Sequence, residues 1–62
     1  MSEILFEFKR NGNSVKVTAI EPETQTEVSV VVPAVLSVDE MKFQVLNRLN
    51  YVLKKKAAED KS

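Results

Sequence analysis

Residues 37–56 read SVDEMKFQVLNRLNYVLKKK, and taking them as one amphipathic helix decides the fold. Ser37 followed three residues later by Glu40 is a capping box, in which each side chain satisfies the other residue's otherwise unpaired backbone N–H. Leu36 before the cap and Met41 after it are placed as a hydrophobic staple that sets the angle of entry. Asp39 and Glu40 fall in the first turn and Lys54, Lys55 and Lys56 in the last, each sign at the end the helix dipole favours. At roughly 100° per residue, Val38, Met41, Val45, Leu46, Leu49, Val52 and Leu53 form a stripe about 140° wide. Lys42 interrupts this stripe and can snorkel, while Phe43 and Tyr51 fall outside it on opposite flanks.

The stripe needs a partner surface, and the residues before it supply one. Glu3 to Arg10 alternates, with Ile4, Phe6 and Phe8 on one face, the period of a half-buried strand. Ser14 to Glu21 alternates again, with Val15, Val17 and Ala19 on one side and Lys16, Thr18 and Ile20 on the other. Asn11-Gly12 between them is a hairpin signal, because a type I′ turn requires positive φ at both central residues. A two-residue loop there sets Phe8 opposite Val15, Phe6 opposite Val17 and Ile4 opposite Ala19, and on the other face Glu7 opposite Lys16. Glu21 to Gln25 is a second turn, with Pro22 suited to its first central position. Pairing Glu21 with Thr26 then aligns Ala19 with Val28, Val17 with Val30 and Val15 with Val32, all on the same face. Pro33 ends the third strand because it cannot donate to a ladder. The expectation is an α+β fold, a three-stranded antiparallel β-meander of order 1-2-3 with one C-terminal α-helix on one face (β-β-β-α). Residues 1–56 form the single domain, and residues 57–62 are a frayed tail.

Composition excludes several classes of function. A chain of 62 residues buries only about 60% of the surface it exposes when unfolded, so its own core is thin and self-association is the natural supplement. There is no Cys and no His, which leaves neither disulfides nor the thiolate and imidazole ligands of a zinc site. The same absence rules out a Ser-His-Asp triad or a Cys nucleophile, and a single glycine cannot build a phosphate-binding loop. Glu3, Glu7 and Glu27 share a face but alternate with Lys9 and Lys16 as a solvated surface does. We therefore expect no enzyme, no catalytic residue and no cofactor. Nine basic residues balance nine acidic ones, so no net field draws in nucleic acid or an anionic membrane. No apolar run reaches the roughly 20 residues that span a bilayer, and Met1 to Ser14 lacks the pattern of a signal peptide. A soluble, cytoplasmic protein is the expectation.

The binding reading rests on apolar residues off the expected core: Phe43 and Tyr51 on the helix flanks, and Leu5, Ile20 and Val31 on the open face of the sheet. They point to a non-enzymatic protein-interaction module that self-associates, as a homodimer, with a further protein partner as an extension. The alternative is weak nucleic-acid binding by Arg48, Lys54, Lys55 and Lys56, with Tyr51 and Phe43 as stacking groups. Against it, a lysine run at a helix end serves dipole compensation and solubility, and Phe6 and Phe8 are expected under the helix rather than on an RNA-binding sheet face.

The motifs Phe6-Glu7-Phe8, Val15-Lys16-Val17-Thr18-Ala19-Ile20, Thr26-Glu27-Val28-Ser29-Val30, Pro33-Ala34 and Leu49-Asn50-Tyr51-Val52-Leu53 resemble a family of short, uncharacterised alphaproteobacterial proteins, a domain of unknown function. The resemblance spans nearly the whole chain and consists of strand, turn and helix patterns. It implies the fold and no activity, cofactor or site residue. The chain departs from the pattern at Gln25, where a glycine is expected in the second turn, and at Val31 or Val32, where one is expected near the end of the third strand.

Overall fold

Alternating apolar residues build three antiparallel strands, β1 (Leu5–Asn11), β2 (Ser14–Glu21) and β3 (Thr26–Pro33), ordered β1-β2-β3, followed by one helix, α1 (Val38–Asp60). The computed structural model describes residues 3–60. The β2–β3 register has Glu21 opposite Thr26, Ala19 opposite Val28, Val17 opposite Val30 and Val15 opposite Val32, as the apolar pattern demands. Beyond Pro33, Ala34 N–H donates to the Asn13 carbonyl at 2.8 Å and closes the end of this ladder.

The first hairpin differs from expectation by two residues. Asn11 pairs with Ser14, so the loop is Gly12-Asn13, and Phe8 lies opposite Val17 and Phe6 opposite Ala19. Gly12 has φ of 64° while Asn13 stays at negative φ, the pattern of a type II′ turn, which places glycine first. Arg10 Nε–H donates to the Gly12 carbonyl at 3.0 Å, and Ser14 Oγ donates to that of Asn11 at 3.1 Å. A slip of two leaves every side chain on its expected face, because the pleat repeats every second residue. It does change the partners: Glu7 faces Thr18 rather than Lys16, and Lys9 faces Lys16.

The second turn is held by a carboxylate. Glu21 is buried, and its side chain accepts the N–H groups of Glu23 (3.0 Å) and Thr24 (2.9 Å) and the Thr24 hydroxyl (2.7 Å). Gln25 N–H donates to the Pro22 carbonyl at 3.3 Å, so Pro22 opens this turn instead of taking its first central position. Gln25 itself takes φ of 56°, the left-handed region that glycine enters most easily.

The capping box forms as read: Ser37 N–H donates to Glu40 Oε1 at 3.0 Å, and Glu40 N–H to Ser37 Oγ at 3.1 Å. The hydrogen bond from the Ser37 backbone N–H, and after it the Ser37 side chain close to the carboxyl, hold the Glu40 carboxyl below its ordinary range. At the other end the helix passes the expected boundary at Lys56 and continues through 57–60, where the sequence reading placed a frayed tail; residues 61–62 lie outside the described residues. Among the described residues, no basic residue occupies the helix's last turn, and Lys54, Lys55 and Lys56 lie a turn or more inside its described end. With 23 residues the helix is about 34 Å long against about 26 Å for an eight-residue strand, and the molecule measures 42 Å along its longest axis.

The core is one cluster of Val15, Val17, Ala19, Val28 and Val32 from the sheet and Met41, Val45 and Leu49 from the helix. Leu46, Val52, Leu53, Leu36, Ile4 and Phe6 pack around it half-buried. Val38 is exposed, so coverage of the stripe begins at Met41. No helix among the described residues is long and apolar enough to cross a membrane.

Candidate functional site

The helix packs chiefly on β3 and β2. A helix 10–12 Å across covers about two strands spaced 4.8 Å apart, and the connection through residues 34–37 returns it directly over β3. The helix side of β1 is therefore left open. Phe8, expected in the core, is 42% exposed, and Phe6 is half-buried with Lys42 Nζ lying 5.2 Å from its ring centroid. Lys42 does snorkel across the apolar stripe, and its destination is this aromatic row.

The backbone of β1 is open as well. Because Asn13 gives its carbonyl to β3, alternation along β2 turns Ser14, Lys16, Thr18 and Ile20 toward β1. Their partners Asn11, Lys9, Glu7 and Leu5 face β2 in return, so Phe6, Phe8 and Arg10 direct their N–H and C=O groups to the free edge. Phe8 thus presents both an uncovered ring and unpaired backbone groups, beside half-buried Phe6, whose backbone groups are also unpaired. The period-2 pattern signalled these residues as apolar but could not say which strand the helix would leave bare.

The five interaction residues singled out from the sequence divide among separate places. Leu5 and half-buried Ile20 are cross-strand partners on the outer face of the sheet. Val31, 70% exposed, sits opposite Lys16 at the other end of that face, beyond the hydrogen-bonded pair Thr18 and Ser29 (2.9 Å). Phe43 and Tyr51 are exposed on the helix, eight residues and so about 12 Å apart along its axis. They do not form one patch. Phe43 lines a shallow groove of ≈ 400 Å³ with Leu36, Asp39, Glu40 and Gln44.

Of the four basic residues, Arg48, Lys55 and Lys56 line one groove of ≈ 330 Å³ together with Tyr51 and Val52, and Lys54 is not part of it. Arg48 rests 5.6 Å from the centroid of the Tyr51 ring. Lys56 Nζ donates to Thr26 Oγ1 at 2.9 Å, and the Thr26 and Thr24 hydroxyls are 2.7 Å apart. Lys56 is therefore tied through buried Thr26 to the turn that Glu21 organises, a structural role that neither the nucleic-acid nor the dipole reading anticipated. Among the described residues no group of three or more His, Cys, Asp or Glu is placed to hold a metal ion.

No curated protein and no solved structure matches the chain. Residues 1–56, which contain all three strands and the helix as far as Lys56, match the domain of unknown function DUF6898, and the chain belongs to that family.

Proposed function

We propose that this protein is a small non-enzymatic interaction module that self-associates through the side of the domain its own helix leaves uncovered. The observation that carries this reading is Phe8, a large aromatic 42% exposed on a strand whose outer backbone edge is also unpaired. An eight-residue buried core is thin for an independent domain, and burying further apolar surface between copies supplements it. A further protein partner, and a bacterial, cytoplasmic setting, belong to the same proposal; the setting is supported by the resemblance of the strand and helix motifs. Light scattering across a dilution series tests the core claim. A mass near twice the 7.0 kDa chain at high concentration, falling on dilution, is expected. A mass of 7.0 kDa at every concentration would refute it.

The competing nucleic-acid reading is favoured by one observation, the shared groove of Arg48, Lys55, Lys56 and Tyr51. Adding a short duplex and a single-stranded oligonucleotide to the same series tests it. A gain in mass that disappears in 0.5 M salt, at roughly a 4 Å Debye length, would transfer the proposal to that groove.

A further inference from the structure

We propose that two copies join antiparallel along β1, about a two-fold axis at Phe8, into one continuous six-stranded sheet carrying both helices on the same face. This rests on the self-association reading and adds its partner, surface and register.

The register follows from charge and length. β1 is the seven-residue strand Leu5–Asn11, and Phe8 is its midpoint, so centring there pairs every residue of the strand. Glu7 then faces Lys9 of the second copy, and by symmetry Lys9 faces Glu7 of that copy. Centring on Glu7 or on Lys9 would set like charges face to face, which is unfavourable across a strand pair. Centring on Phe6 would leave Phe8, Lys9, Arg10 and Asn11 without strand partners. The Phe8 register also resolves an anomaly within the chain, where Lys9 lies opposite Lys16 on the outer face. Joining two copies extends that row to Glu7, Lys9, Lys16, which supplies the missing opposite charge.

On the helix side the same register brings the two Phe8 rings together at the axis and sets Phe6 opposite Arg10 of the second copy. Both arrangements suit aromatic rings, the first by ring packing and the second by a cation over the ring face. The unpaired N–H and C=O groups of Phe6, Phe8 and Arg10 acquire partners, and an exposed strand edge open to indiscriminate pairing is closed. The β3 edge offers no such match. Its inner face is already under the helix, and Glu27 is its only charged residue.

Charge exchange between copies tests this register. Glu7→Lys and Lys9→Glu each place like charges opposite one another twice per dimer, and each should raise the dimer Kd about tenfold in sedimentation measurements. An equimolar mixture of the two variants should pair as tightly as the unaltered protein, as should the double variant Glu7→Lys/Lys9→Glu. Both side chains are exposed, and far-ultraviolet circular dichroism monitors the fold of each variant. If the unaltered protein is dimeric and neither single reversal weakens it, or the mixture fails to recover, the β1 register is overturned while self-association stands. If the unaltered protein is monomeric throughout, the broader reading falls with it.

Discussion

Replacing Gln25 by glycine should stabilise the protein, although it removes a side chain. Gln25 holds φ of 56°, where the Cβ of an L residue crowds the following carbonyl at a cost of about 1–2 kcal/mol. Glycine avoids that contact but gives the unfolded chain more freedom, which takes back about 0.5–1 kcal/mol. The net expectation is a gain of about 0.5–1 kcal/mol. Among the described residues, the hydrogen bonds identified in the turn do not use the Gln25 side chain. Glu21 accepts from the backbone of Glu23 and Thr24 and from the Thr24 hydroxyl, and Gln25 contributes its N–H, which glycine retains. For 62 residues the entropy of unfolding near the midpoint is roughly 0.13 kcal/mol/K, so the gain corresponds to a rise in Tm of about 4–8 °C. Thermal melts followed by circular dichroism, at one protein concentration so that association does not shift them differently, provide the assay. Gly12→Ala is the control. Its φ of 64° is also left-handed and no atom lies within 4 Å of the added Cβ, so backbone strain alone should lower stability by about 1 kcal/mol or more. An unchanged or lower Tm for Gln25→Gly, with Gly12→Ala behaving as expected, would refute the strain argument at residue 25.

Leu49, 1% exposed between helix and sheet, should cost about 2–5 kcal/mol when cut to alanine, against less than about 0.5 kcal/mol for Phe43→Ala; urea unfolding separates the two. Ser37→Ala should cost about 1 kcal/mol at neutral pH by removing the helix cap. Because the Glu40 carboxyl is held below its ordinary 4.5 chiefly by the residue-37 backbone N–H, which alanine retains, its contribution is present above that value and lost in both proteins as pH falls through the lower folded value, so most of the Ser37→Ala difference should persist in acid. Thr26→Val removes the hydroxyl that both Thr24 and Lys56 use, and about 1–2 kcal/mol should be lost. Lys56→Met should then cost less in the Thr26→Val background than alone, a coupling that a free surface lysine would not show in a double-mutant cycle.

The second hairpin was legible in sequence because only one pairing, Glu21 with Thr26, aligns three apolar pairs on one face. The first was legible only in parity. Asn11-Gly12 and Gly12-Asn13 are both acceptable two-residue turns, and they differ by a shift that leaves the apolar face unchanged, so hydrophobic pattern cannot choose between them. The outer face held a clue, since the observed register places Leu5 opposite Ile20, an aliphatic pair the alternative separates. The Glu21–Thr24–Thr26–Lys56 cluster was not legible, because it joins residues 30 positions apart through short polar side chains that carry no periodic signal.

Alternation also conceals the feature on which the proposed function turns. A strand buried by its own helix and one buried by a second molecule have the same period of two, so Phe6 and Phe8 read as core in either case. What separates the cases is width: one helix cannot cover three strands, and one strand of a three-stranded sheet must remain partly bare. The short connection from β3 assigns that strand. Residues 34–37 are too few to carry the chain across the sheet, so the helix begins beside β3 and reaches β2, leaving β1 only partly covered. In this chain Phe6 and Phe8 therefore lie on the one strand whose edge is free and whose helix-side face is only partly covered. Charges on the outer face of that strand, Glu7 and Lys9, then do what the aromatic row alone could not, and distinguish one register of the proposed association from its neighbours.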